Sequence, residues 1–216
     1  MIVFDLDGTL YRTHETTVPA LRELCRRYQI ALSPEDERYL MYTTIQELLD
    51  RVAPDMPKER QQYFIRDMNE EEIRQVQARG RLFDGVQEML AFLAERGVDM
   101  AICGMGRPIY IETVLTRCGI RPYFRYVMGR KEGRPKGQAL RDLLQKAGKS
   151  PIECLMVGYS ITDRRAAEEN GVPFLGVSYG YGRDGLCDLP ELAHSVEQLQ
   201  DRLAAALEAQ PGGNGT

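Results

Sequence analysis

The sequence predicts an α/β fold: a parallel sheet interrupted, just after its first strand, by an all-helical insertion. Three observations lead there. The chain opens on a continuous apolar run, Ile2–Phe4, that stops at the polar turn Asp5-Leu6-Asp7-Gly8-Thr9, as a strand buried on both faces would. Residues 14–83 carry helical periodicity and no strand signal. From residue 84 onward, short apolar runs alternate with helix-length amphipathic segments, the pattern of βαβ units.

The elements follow in order. Val18, Leu21, Leu24, Cys25 and Tyr28 recur at helical spacing, as do Ile45, Leu48, Leu49 and Val52. Pro54 and Pro57 break that pattern, and a highly charged stretch from Lys58 to Arg79 follows. After Phe83-Asp84-Gly85 the spacing predicts helix Val86–Arg96, strand Val98–Cys103, helix Pro108–Cys118 and strand Tyr126–Met128. Helix Gly137–Ala147, strand Cys154–Val157, helix Thr162–Asn170 and strand Phe174–Val177 continue the alternation. Gly97, Gly119, Gly148 and Gly171 stand where four of these helices should close. A last amphipathic helix is expected over Leu189–Leu207, and Pro211–Thr216 is a polar tail. The expected organisation is a core of 1–13 and 84–210, a helical cap of 14–83 and a flexible tail of 211–216.

With 216 residues, 43% hydrophobic and 28% charged, the chain is long enough for one cored domain with a small inserted module. A net charge of -4 provides no broad basic field, so nucleic acid is not expected as a partner. No apolar run approaches the roughly 20 residues of a membrane span, and no basic leader precedes Ile2. A cytoplasmic location and no membrane partner are the expectations. The five cysteines, Cys25, Cys103, Cys118, Cys154 and Cys187, include no close pair, so they read as reduced, mostly buried hydrophobes.

Two carboxylates one residue apart at a strand end can serve one reacting centre once the strand opens into a turn. Asp5 is then placed to attack phosphorus, and Asp7 to protonate the leaving oxygen and later help deprotonate water. In an open parallel sheet, ligands bind beyond the carboxyl ends of the strands where the winding reverses. If the chain winds outward twice from its first strand, the ends of Ile2–Phe4 and Cys154–Val157 meet there.

Phe4-Asp5-Leu6-Asp7-Gly8-Thr9-Leu10 and Phe83-Asp84-Gly85-Val86 resemble the haloacid dehalogenase superfamily, nearest its phosphoglycolate phosphatase-like branch. The resemblance implies a three-layer Rossmann-like core with a helical cap and magnesium-dependent hydrolysis of a small phosphate monoester. It also implies roles for later residues. Lys136, in Gly133-Arg134-Pro135-Lys136, stands at the family's lysine, and Arg134 is either a second phosphate contact or a solvated turn residue. Asp163, in Val157-Gly158-Tyr159-Ser160-Ile161-Thr162-Asp163, keeps the second acidic position of the metal motif, while Tyr159 replaces the first. Mg²⁺ would then rest on Asp5, Asp163 and Asp7, the last through its main-chain carbonyl. Gly104 takes the place of a phosphate-binding hydroxyl and Met105 that of a polar residue, leaving the N–H of either to meet a phosphate oxygen.

These departures leave three functional readings open. The first is an aspartyl-phosphate phosphatase acting on a small phosphate ester as a monomer or homodimer. A second is an impaired or repurposed protein whose pocket, lined by Gly104, Met105 and Tyr159, binds a small molecule. The third is a metal-free, dehalogenase-type esterification of aspartate. Arg12 and His14 lie near the expected hinge, Tyr42, Thr43 and Thr44 at a helix start, and Tyr179-Gly180-Tyr181-Gly182 in a closing loop.

Overall fold

The computed structural model describes residues 1–41, 43–181, 186 and 192–208. Tyr42, Gly182, Cys187, Leu189 and the tail Pro211–Thr216 lie outside the described residues.

Six parallel strands form one sheet: β1 (Ile2–Phe4), β2 (Met100–Cys103), β3 (Phe124–Met128), β4 (Leu155–Gly158), β5 (Phe174–Val177) and β6 (Leu192–Ala193), in spatial order β3-β2-β1-β4-β5-β6. The chain therefore winds outward twice from β1. The alternation of strand side chains divides the interior into two layers. Ile2, Phe4, Met100 and Ile102 face one layer, with Val3, Ala101 and Cys103 facing the other.

On the first face pack α5 (Val86–Glu95), α6 (Pro108–Arg117) and α9 (Val196–Glu208). On the second lie α7 (Lys136–Ala147) and α8 (Ile161–Glu169). This is the three-layer α/β fold expected from the sequence. Its last helix is shorter than expected: Leu192 and Ala193 pair with Gly176 and Val177 as strand β6 before α9 begins. Apolar residues at that spacing suit either structure, and the open edge of β5 decides for the strand.

Between β1 and α5 the chain forms α1 (His14–Tyr28), α2 (Pro34–Leu40), α3 (Ile45–Val52) and α4 (Lys58–Arg79). Helix α2 was not anticipated, because its seven residues bury only Asp36 and Leu40. Its local signal is Ser33-Pro34-Glu35-Asp36, a capping box with proline in the first turn. These four helices bury a core of their own, with Leu21, Leu24, Leu48, Leu49, Phe64 and Met68 at its centre. The block joins the sheet through two segments that touch each other, with a bridge between Tyr11 and Leu82 and Arg12 donating to the Leu82 carbonyl at 3.2 Å. Leu82 is the one residue of 14–83 seen in a β-type pairing among the described residues.

Candidate active site

Strands β1 and β4 are neighbours, with Phe4 opposite Val157, and the Asp5 N–H extends the pairing to the Val157 carbonyl at 2.9 Å. Asp5 therefore stands at the carboxyl edge of the sheet, where the winding reverses. Lys136, the first residue of α7, reaches it from the second layer, where α7 packs against β2 and β3. Its ammonium donates to Asp5 Oδ1 at 2.5 Å and pairs with Asp163 Oδ1. The Thr9 hydroxyl donates to Asp5 Oδ2 at 3.3 Å.

The three charged groups are buried, at 4% exposure for Asp5, 4% for Lys136 and 0% for Asp163. Burial raises the pKa of Asp5, the Asp163 carboxylate adds to the rise, and Lys136 opposes it. For Lys136, desolvation pulls downward, yet Asp163 and Asp5 more than compensate and hold it protonated. A fixed cation thus lies against the carboxylate that would react, in a site that excludes water.

Asp163 has a second task. It occupies the third position of α8, where its Oδ2 accepts from the Tyr159 N–H at 3.0 Å, the Ser160 N–H at 2.9 Å and the Ser160 hydroxyl at 2.8 Å. The capping box of α8 is completed when the Asp163 N–H donates back to Ser160 Oγ at 3.2 Å. Gly158 is required beside it, since a Cβ there would lie 2.5 Å from the Asp163 carboxyl.

Asp7 sits in the turn that follows β1, where Gly8 adopts φ +77°. Its Oδ1 accepts from the Thr13 hydroxyl at 2.6 Å and from the Tyr110 hydroxyl at 2.7 Å. Burial raises the Asp7 pKa, against the pull of those two hydrogen bonds. Such a carboxyl is suited to carrying a proton to an alkoxide. Asp7 also lines a cavity of about 430 Å³ between the helical block and the sheet, together with Thr17, Glu72, Met105, Tyr110 and Tyr159.

The remaining anticipated residues divide between the cavity and the scaffold. Met105 and Tyr159 are on the cavity wall. The Gly104 N–H is spent on the Met128 carbonyl at 3.0 Å, so the free main-chain donor in that loop would have to be Met105. Arg134 is tied to its own loop and helix: its guanidinium donates to Asp142 at 3.0 Å and to the Gly129 carbonyl at 2.5 Å, with its side chain 9% exposed.

The Tyr159 ring packs over Gly8, close enough that a Cβ on Gly8 would meet it at 2.9 Å, and edge-on to Tyr181 with ring centres 5.8 Å apart. Burial holds its phenol protonated, and Asp5 and Asp163 reinforce this. Tyr181 in turn holds His14, whose N–H donates to the Tyr181 hydroxyl at 3.1 Å. Arg12 pairs with Asp84 at 3.0 Å across the connecting segments. Thr44 caps α3, and Tyr179 donates to the Thr9 carbonyl at 3.0 Å.

Mg²⁺ commonly takes one or two carboxylates, with water and phosphate oxygens completing the octahedron. Asp5 and Asp163 meet that count. Asp163 Oδ1 is buried without a well-directed hydrogen bond, held by the Lys136 ion pair alone, and an oxygen in that state favours added positive charge. Asp7 turns its carboxylate to Thr13 and Tyr110, and no three Asp, Glu, His or Cys side chains gather into an ion-holding group among the described residues. The donor set offers Mg²⁺ two carboxylates, Asp5 and Asp163, both paired with the Lys136 ammonium. It does not form a three-carboxylate cage.

Tyr181 of the anticipated closing loop lines the cavity as well, and so do Thr13, Glu72, Arg107, Tyr110 and Arg130, which were not singled out in the sequence. Tyr110 follows the apolar period of α6 and reads as core. Glu72 is one of many charges in α4, and no local pattern sets it apart.

Residues 2–177 match the family model described as haloacid dehalogenase-like hydrolase. A phosphoglycolate phosphatase of Agrobacterium fabrum is 26% identical over 97% of this chain and 91% of its own length. A second, from Pseudomonas putida, is 28% identical over 61% of this chain, a match spanning about half (49%) of that relative. Among solved structures, one described as a predicted phosphoglycolate phosphatase from Haemophilus somnus superposes with a TM-score of 0.85 at 22% identity, covering 95% of this chain and 97% of that one. At that identity the superposition shows a shared fold.

Proposed function

Because the chain belongs to the haloacid dehalogenase-like hydrolase family, we propose that it is a phosphatase of small phosphate monoesters working through an aspartyl-phosphate at Asp5. The observation that carries this reading is the pairing of Asp5 with the Lys136 ammonium at 2.5 Å, beside an Asp7 that burial holds toward its protonated form. The curated relatives named phosphoglycolate phosphatase support the reaction class.

In the first half-reaction, an Asp5 oxygen forms a bond to phosphorus while the bond from phosphorus to the ester oxygen breaks, and Asp7 gives its proton to the departing alcohol. In the second, Asp7, now a carboxylate, takes a proton from water as that water attacks phosphorus. The bond from Asp5 to phosphorus breaks, phosphate leaves and both aspartates return to their starting states. Lys136 offsets the charge that gathers on Asp5 and the phosphoryl oxygens. Asp5, Asp163 and the Asp7 carbonyl are the groups that would hold Mg²⁺, which would supply further charge neutralisation at the phosphoryl group. Thr13 and Tyr110 orient Asp7, and Met105 offers its N–H. Residues 14–83 act as a cap that encloses the ester and excludes bulk water.

One feature favours a second reading. Asp5 is 4% exposed and the Tyr159 ring lies beside it, in place of an acidic ligand. On this account the protein is impaired or repurposed, and Gly104, Met105 and Tyr159 shape a pocket that binds a small molecule without turnover. Hydrolysis of p-nitrophenyl phosphate in Mg²⁺ separates the two. Activity in the wild type that disappears in Asp5→Asn is the expected result. Equal inertness of both proteins, with activity appearing in a Gly104→Ser/Tyr159→Asp variant, would overturn it.

A further inference from the structure

The loops after β2 and β3 are joined by more than the sheet. Beyond the strand ends, the Arg130 N–H donates to the Gly106 carbonyl at 2.8 Å. Gly129 permits the approach, since a Cβ there would lie 3.0 Å from the Gly106 carbonyl oxygen and 3.3 Å from Pro108 N. This stitch sets Arg107 and Arg130 together on the wall of the cavity that Asp7 and Tyr159 also line. Both arginines continue into an adjoining open groove of about 710 Å³ bordered by Lys131, Arg134 and one acid, Glu132.

Holding two guanidiniums side by side is costly, and their own chain does little to offset it. Arg107 spends one N–H on the Asn69 carbonyl of α4 at 3.1 Å. Neither arginine is in an ion pair among the described residues. The carboxyl that faces them from the cap is Glu72, whose Oε1 is occupied by the Thr17 hydroxyl at 2.7 Å. The three groups sense one another: burial lowers the Arg107 pKa, Glu72 opposes that, and Arg130 lowers it further. Asp7, the other acid on this cavity wall, is turned to Thr13 and Tyr110.

We infer that Arg107 and Arg130 form a subsite for a second phosphoryl group, so that the preferred ester is one whose alcohol portion carries another phosphate. A phosphoryl dianion answers two forked cations, each able to place paired N–H groups on two of its oxygens. A carboxylate would bring half the charge and two oxygens instead of three. The inference rests on the phosphatase reading for which phosphate is cleaved. Recognition of the second group is independent of turnover.

The test is calorimetric binding to the Asp5→Asn variant, its fold verified by circular dichroism, with three probes differing at one end: propane-1,3-diol bisphosphate, 3-phosphopropanoate and propyl phosphate. The bisphosphate is expected to bind at least about tenfold more tightly than propyl phosphate, about 1.4 kcal/mol. It should also outbind 3-phosphopropanoate. Adding Arg107→Gln or Arg130→Gln should each erase that advantage while leaving propyl phosphate binding within about twofold. Parity of bisphosphate and propyl phosphate, parity of bisphosphate and 3-phosphopropanoate, survival of the preference in either glutamine variant, or no binding of any probe would each overturn the inference. If the preference and its loss are seen while the wild type leaves p-nitrophenyl phosphate intact, the subsite stands and the hydrolase reading falls.

Discussion

At the scale of single residues, the geometry around Asp7 makes separable claims. Thr13 and Tyr110 both donate to Oδ1, which fixes the direction of the carboxyl. A hydrogen bond to a charged group contributes about 1.5–3 kcal/mol, so Tyr110→Phe should lower kcat for an aryl phosphate by roughly tenfold or more with KM little changed. A change confined to KM would show that Tyr110 serves binding instead of Asp7. Glu72 makes a claim about pH. Burial raises its carboxyl to about 7, with Thr17 pulling the other way, although one face remains open to the cavity. Between its ordinary value of 4.5 and about 7, the folded protein holds a proton that the unfolded chain has released. Stability from this group is therefore complete below pH 4.5 and declines as pH rises through 7. Glu72→Gln, a permanent neutral mimic, should flatten that part of the Tm profile and raise Tm at pH 8 above wild type. Parallel profiles for the two proteins would refute the assignment.

At the scale of elements, α8 shows how one carboxylate serves structure and site together. Asp163 caps the helix through Oδ2 and pairs with Lys136 through Oδ1. Removing one partner of a buried pair typically costs about 3–5 kcal/mol, and Asp163→Ala should lose that much in urea unfolding with no metal present. Ser160→Ala, which removes the cap alone, should lose about 1 kcal/mol. Equal losses would mean that the ion pair adds nothing to the cap. This arrangement was partly legible in the sequence. Asp5 and Asp7 could be read from the strand end they follow, whereas Lys136 and Asp163 were expected only through the family resemblance. The Tyr110 hydroxyl and the Arg107 and Arg130 pair could not be read, since they meet Asp7 or one another only when the sheet brings the segments after β1, β2 and β3 together, and Glu72 joins them only when the helical block folds back over those loops. Strand β6 and helix α2 escaped for a different reason. Two residues in a strand and seven in a helix give too little periodicity to choose a structure, so tertiary pairing and capping decide.

At the scale of the molecule, the architecture follows from two cores. The sheet buries residues on both faces, and the inserted helices bury their own set, while Val76 and Ile73 of α4 pack into the sheet's first layer beside α6, so the cap is held to the sheet by this apolar seam as well as by the connecting segments. Gly80, at the end of α4, stands within one of those connections, and a Cβ there would lie 2.6 Å from the Val76 carbonyl and 2.9 Å from the Tyr11 hydroxyl. Gly80→Ala should therefore destabilise the protein by about 1–3 kcal/mol, read as a lower urea midpoint. An unchanged midpoint would mean that the connection gives way without cost. The enclosed Asp5 adds a requirement for motion: the cap, or Tyr159, must shift before an ester reaches it. The central claim is that Asp5, once reached, becomes phosphorylated. It is tested most directly by mixing the protein with a phosphate monoester and Mg²⁺, quenching in acid within milliseconds and mapping the phosphoryl group by mass spectrometry. Phosphate on the peptide containing Asp5, absent in Asp5→Asn and accumulating when Asp7 is replaced by asparagine and an aryl ester supplies a good leaving group, is the predicted result. Steady release of phosphate with no phosphoryl group ever found on Asp5 would contradict it.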